Sequence, residues 1–299
     1  NHPHDFFWGK DAQGTFLLLL EIDEQYKEPL GKKIIDLNGV KTDIRLNQST
    51  GELFFILCLQ NTEDADIFHR LCVDLIDRTR AIKEQKTALE IIHTRLKRWK
   101  TFLSRKSIHL LTAQEVQGLY AELEFLYARI AQTEKQIAVI EGWQGPLGGP
   151  HDYVLGDYAV EIKSISGMQK DVVRITSENQ LITHLDRLYL RVFFLAEFHD
   201  CRKGFSLNQM VDRVRDVIRD GDDRELFNSR LYEAGYMELK DYDTPCYTVT
   251  HQKSFEVREG FPRIIPEALT DGLTNVSYDL NLNSLEGYVC EIPFDGEGK

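Results

Sequence analysis

Three glycines and two prolines fall within residues 145–150, and neither a helix nor a strand runs through such a segment. It divides the chain into two kinds of pattern. Upstream, from Asp64, apolar residues recur at helical spacing (Phe68, Leu71, Leu75), and a further helix is expected over 87–104. A third helix opens at Thr112. Glu115 stands three residues on, the spacing of a capping box. Its apolar stripe runs through Val116, Leu119, Leu123, Leu126, Ile130 and Ile137 and ends near Gly142. Downstream come short strands at 152–155, 159–165 and 172–176, a helical stretch at 178–185, and a longer strand at 188–198. The remainder is expected to be helical to Gly235, then strand-rich with loops. Ahead of the helices, 1–62 reads as strands, with apolar runs at 16–20, 33–37 and 53–59 separated by turn residues such as Asn38-Gly39. The pattern predicts an α/β chain in three segments: a β-rich module at 1–75, helices and a core at 76–200, and an α/β extension at 201–299.

Charge and cysteine usage exclude several classes. The formal net charge is −12, which rules out a uniformly basic nucleic-acid coat but leaves room for a local basic patch. The apolar runs 16–20 and 54–59 are far short of the ~20 residues of a membrane helix, so no membrane association is expected. The five cysteines are scattered and form no Cys-x-x-Cys pair. Reduced thiols in a cytoplasmic protein are therefore expected, without a disulfide framework or structural zinc. The first residue is Asn1 rather than Met, which reads as a trimmed start. No Gly-Lys-Ser/Thr follows the glycine-rich segment and no Gly-x-Ser-x-Gly occurs, so a P-loop and a nucleophile elbow are excluded.

The chemistry concentrates in residues 150–163. Pro150 and Asp152 precede a turn, and Glu161-Ile162-Lys163 lies on the strand after it. Alternation puts Glu161 and Lys163 on one face and Ile162 on the other. A hairpin through Gly156-Asp157 would bring Asp152 beside Glu161, so two carboxylates and an ammonium would meet at a strand edge. Phosphodiester hydrolysis uses such a set, because hard oxygen ligands suit Mg²⁺ and a cation can stabilise charge on the phosphate. A bare Glu-x-Lys also occurs at Glu84/Lys86, Glu238/Lys240 and Glu297/Lys299, and a Pro3-His4-Asp5 decoy precedes Glu21-Ile22-Asp23, which lacks the lysine. The plain alternative is a half-exposed hairpin with a surface ion pair.

Pro150-His151-Asp152 and Glu161-Ile162-Lys163 resemble the PD-(D/E)xK motif of restriction-endonuclease-like proteins. Other pieces fall in the same order as in the bacterial PD-(D/E)xK motif proteins, a group often encoded near restriction and phage-defence genes. They are residues 118–126, Trp143, 175–181, 188–190, 261–264 and 276–278. The resemblance covers residues 95 to 280 and leaves the N-terminal strands unmatched. Ala121 departs from the glycine usual before the helix glutamate, with little consequence inside a helix. The resemblance implies an α+β fold with a mixed central sheet flanked by helices, between the N-terminal module and the C-terminal extension. It implies a Mg²⁺-dependent DNA endonuclease of a defence system, with Mn²⁺ as a substitute metal. Asp152 and Glu161 would be metal ligands and Lys163 the cation at the attacking water. Glu122 matches a third acid and Gln180 a neutral residue near the site. Glu122 lies on the flank of its helix's apolar stripe, whereas Glu124 is expected to face solvent. For Glu122 the alternative is a boundary residue bonded to water; for Gln180 it is local bonding at a helix start. His151 reads as shaping the turn.

From Arg78 to Lys106 ten cations face only Glu84 and Glu90. Arg95, Lys97, Arg98, Lys100, Arg105 and Lys106 are candidate phosphate contacts. The alternative is a solvated helix face with Trp99 and Phe102 in the core. DNA is the expected partner, with a homodimer or other defence proteins as further partners. A silent DNA- or partner-binding subunit is the rival function, because fold alone does not decide chemistry.

Overall fold

The computed structural model describes residues 2–27, 31, 35, 37–104, 110–167 and 171–293. The chain forms two compact units, 1–110 and 111–299. The expected breaks after 75 and 200 do not coincide with this division. Residue 75 lies inside a helix of the first unit, and residue 200 lies within the second.

The first unit holds an antiparallel sheet of four strands. They are β1 (Phe6–Lys10), β2 (Phe16–Ile22), β3 (Val40–Leu46) and β4 (Leu53–Leu59), in the order β1-β2-β4-β3. β3 follows the Asn38-Gly39 turn, where Gly39 has φ +75°, a conformation that favours glycine. The strand expected at 33–37 falls largely outside the described residues. Helices α1 (Ala65–Thr79) and α2 (Gln85–Leu103) belong to the same unit. Their cores meet at a buried carboxylate. Asp74 accepts two hydrogen bonds from Arg95, both 2.8 Å, and one from the Trp99 indole at 2.9 Å.

The second unit opens with α3 (Ala113–Ile130), whose Thr112/Glu115 capping box forms as expected. The helical run then breaks, and α4 (Gln136–Gly142) follows. The interruption rotates the stripe, so Ile137 is 40% exposed rather than in the core. The central sheet is mixed. It comprises β5 (Tyr153–Leu155), β6 (Tyr158–Ser166), β8 (Arg187–Phe198), β9 (Phe205–Ser206) and β10 (Cys246–Glu256), in the order β5-β6-β8-β10-β9. β6 runs parallel to β8, and the other pairs are antiparallel. A second sheet pairs β7 (Val172–Ile175) with β11 (Tyr278–Asn281). Between β9 and β10 lie α5 (Leu207–Val217) and α6 (Gly221–Glu233). The architecture is α+β, as expected. The stretch at 178–185 is a single 3-10 turn, Glu178–Leu181, rather than a longer helix.

Cys201 and Cys246 are joined in a disulfide, against the expectation of reduced thiols throughout. Chain spacing hid the pair. The β9–β10 pairing brings the two segments together, with a Cα–Cα distance of 5.3 Å. Cys58, Cys72 and Cys290 are free thiols. Among the described residues no helix is long and apolar enough to cross a membrane.

Candidate active site

β5 and β6 form the expected hairpin, with Tyr153 opposite Val160 and the turn at Gly156, φ +59°. β5 is only three residues long. Past Val160 no described strand pairs with β6 on that side, so its edge is open. Asp152, just before β5, reaches this edge. Its Oδ2 accepts the Ile162 backbone N–H at 2.6 Å. Glu161 and Lys163 share a face as alternation requires, and Lys163 Nζ lies 2.8 Å from Glu161 Oε1. That face also carries Ala159 and Ile165, which join the apolar cluster under β7 and β11. Glu161 is therefore embedded, at 2% exposure, and the pair is not a surface ion pair.

Glu122 comes from α3 and is held at both ends. The Trp143 indole N–H donates to Glu122 Oε2 at 2.7 Å, and the Tyr153 hydroxyl donates to the Glu122 carbonyl at 2.9 Å. Gly145 is where Glu122 and Asp152 come together. A Cβ there would stand 3.0 Å from both Glu122 Oε2 and Asp152 Oδ1, so these oxygens lie within twice that distance of each other. Neither Trp143 nor Gly145 is titratable, which is why a search for chemistry-bearing side chains passes over their support of the site.

Gln180 bonds locally at its turn and also reaches Lys163. Its Oε1 accepts from Thr176 N at 2.8 Å and from Lys163 Nζ at 3.3 Å. His151 is buried and its Nε2 has no hydrogen-bond partner. Glu124 departs from the solvent position expected. It accepts from the Tyr120 hydroxyl at 2.9 Å and pairs with Arg213 of α5 at 3.5 Å.

Glu122, Asp152, Glu161, Lys163 and Gln180 line one cleft of about 960 Å³ between α3 and the β6–β7 region. Its electrostatics are unbalanced: Glu122, Asp152, Glu161, Glu197 and Asp279 line it against Lys163 and Arg174. Burial, then the Asp152 charge, pushes Glu122 up to about 8. Burial likewise raises Asp152, partly offset by the Ile162 N–H and Lys163. It raises Glu161 well above the usual range, reinforced by Asp152. Among the described residues no three His, Cys, Asp or Glu side chains stand as a preformed metal cage. The carboxyl bonds described here engage one oxygen of each group.

The basic stretch lies in the first unit. Arg95 is 4% exposed and committed to Asp74, so it leaves the set of phosphate contacts. Trp99 and Phe102 are core residues. Lys97, Arg98 and Lys100 are exposed, and Arg105 and Lys106 lie outside the described residues.

Residues 1–283 match the model of a family described as "Putative PD-(D/E)XK family member, (DUF4420)". The match takes in the N-terminal strands, which the resemblance read from the sequence left out. No curated protein and no solved structure matches the chain.

Proposed function

This chain belongs to the PD-(D/E)XK family so described, and on that premise we propose that it is a Mg²⁺-dependent DNA endonuclease of a bacterial restriction or phage-defence system. The observation that carries the reading is the gathering of Glu122, Asp152 and Glu161 around Lys163 in an accessible cleft. The donor set fits a hard divalent cation, because the cleft carries surplus carboxylate and burial makes that surplus costly. Asp152 and Glu161 would hold the ion, with Glu122 as a further ligand and Mn²⁺ as a substitute metal. When bound, Mg²⁺ polarises a phosphoryl oxygen and lowers the pKa of a coordinated water.

The remaining work falls to the chain's own groups. Lys163 has three N–H donors. Glu161 Oε1 and Gln180 Oε1 take two of them and aim the amine. The third is available to the attacking water or to the oxygen on which charge develops. The Ile162 N–H fixes Asp152, and the Trp143 indole fixes Glu122, so the carboxylates need little rearrangement on binding.

Single-turnover cleavage of plasmid and phage DNA tests this. Wild type is expected to cut with Mg²⁺ or Mn²⁺ and to bind without cutting in Ca²⁺. Asp152→Ala should abolish cutting and keep DNA binding. Lys163→Ala should retain metal binding by calorimetry and lose about 10²- to 10³-fold in rate. Absence of cleavage of any DNA, with neighbouring defence proteins added, would favour a binding subunit instead.

A further inference from the structure

The open edge of β6 continues beyond the N–H that Asp152 occupies. Because the Ile162 N–H faces that edge, the backbone N–H groups of Ser164 and Ser166 face it too, as alternate residues of a strand. They lie roughly 6.6 Å apart along the strand, and neither has an acceptor among the described residues. The side chains of Ser164 and Ser166 project toward α3, and those of Glu161 and Lys163 project to the opposite face. The cleft of the carboxylates wraps around the edge between them, since residues of both faces line it.

Gln117 of α3, just over one turn before Glu122, spans the two serines. Its Nε2 donates to Ser164 Oγ at 3.0 Å, and its Oε1 accepts from Ser166 Oγ at 2.7 Å. Donors outnumber these bonds. The amide has two N–H groups and the serines have one O–H each, and the network uses one of either kind. One amide N–H and the Ser164 O–H remain, and exchanging the amide's nitrogen and oxygen leaves the same surplus. Together with the two backbone N–H groups they form a half-buried wall of neutral donors without a described acceptor. The helix surface beside this wall is clear. A Cβ on Gly118 would meet nothing within 4 Å, so packing does not demand glycine there, although glycine weakens a helix interior.

We propose that this wall binds the DNA phosphate next to the one under attack, with Gln117 and Ser164 as the side chains that position the strand. The inference rests on the nuclease reading for the identity of its ligand. The unesterified oxygens of a phosphodiester only accept hydrogen bonds, and a wall of surplus donors matches them. The step along the edge from the Ile162 N–H, held by Asp152, to the Ser164 N–H is comparable to the step between phosphates along a strand. Neutral donors also suit their surroundings. A cation at either position would be drawn to Glu122 and Asp152 across the cleft, whereas an amide and a hydroxyl stay available to phosphate.

The test is anisotropy titration of the full chain with a short labelled duplex in Ca²⁺, beside a cleavage assay in Mg²⁺. Ser164→Ala removes the spare O–H with little loss of volume. It should weaken DNA binding about tenfold, the value of a hydrogen bond to a charged acceptor. The slope of log K against log salt should stay unchanged, because no charge that releases counterions is lost. Gln117→Glu keeps the size of the side chain and can accept from both serine hydroxyls, so the tie between α3 and β6 survives, but it has no N–H to give. It should weaken binding more than Ser164→Ala does, which serves alone if Gln117→Glu does not fold. A tie that is only structural would leave both variants binding as wild type, and that result overturns the proposal. So does a wild type that binds no DNA. If wild type cuts and both variants bind unchanged, the nuclease reading stands without this inference. If wild type cuts nothing and the variants bind more weakly, the wall is a DNA contact and the nuclease reading falls.

Discussion

Glu122 sits where three demands meet: it ends in a carboxyl, faces a second carboxyl at Asp152, and is gripped by an indole N–H. Its carboxyl is raised from 4.5 to about 8 in the folded chain. Between those values the folded state binds more protons than the unfolded one, so stability falls as pH rises through the window. Asp152 and Glu161 are raised as well and act in the same direction. Thermal melts in EDTA should therefore show Tm declining from pH 5 to pH 8.5. Glu122→Gln should flatten that decline, since the amide keeps an acceptor for Trp143 and has no proton to lose. Mg²⁺ should also reduce the loss at high pH, because it favours the ionised carboxyls. A wild-type Tm that rises steadily over this range in EDTA would contradict the raised carboxyls.

At the scale of elements, α3 carries the most: Glu122 at the cleft and, seven residues on along the same stripe, Arg129, which donates to the Pro293 carbonyl. Its start depends on the Thr112 hydroxyl, which accepts the Glu115 N–H, while Glu115 accepts the Thr112 N–H at 2.8 Å. Thr112→Ala should cost about 1 kcal/mol in urea unfolding and leave the single-turnover rate unchanged well below Tm, because the cap lies more than two turns from Glu122. This cap and the β5–β6 hairpin were legible in the sequence, since both depend on neighbours a few residues apart. The same holds for the Glu161/Lys163 face, a consequence of strand alternation alone. What sequence reasoning missed depends on distant partners. Arg95 reads as one more cation until Asp74, on another helix, claims it. Glu124 reads as solvent-facing until α5 brings Arg213 to it. Ile137 fits the stripe only while α3 and α4 are taken as one helix. Gln180 and Glu122 showed only as matches to a family pattern. The fold supplies their bonds, to Lys163 and Trp143 respectively.

For the whole molecule, charge is the organising quantity. The chain is acidic overall, yet Lys97, Arg98 and Lys100 are exposed on α2 in the first unit. If these residues track phosphates, replacing all three with Gln should weaken DNA binding and lower the slope of log K against log salt by up to about 3 for a duplex. Cleavage at saturating DNA should persist. An unchanged slope in an anisotropy titration would return them to a solvated helix face. The short β5 has a consequence for how copies of the chain keep apart. A strand edge left bare is a template for another strand, and buried or inward charge is one of the ways proteins protect it. Here Asp152 occupies the Ile162 N–H, and Glu161 and Lys163 stand beside it along the same edge. The carboxylate proposed to hold the ion thus also covers an edge N–H that would otherwise be free to pair. Asp152→Ala would remove a proposed metal ligand and uncover the Ile162 N–H at once, whereas Lys163→Ala leaves the N–H covered.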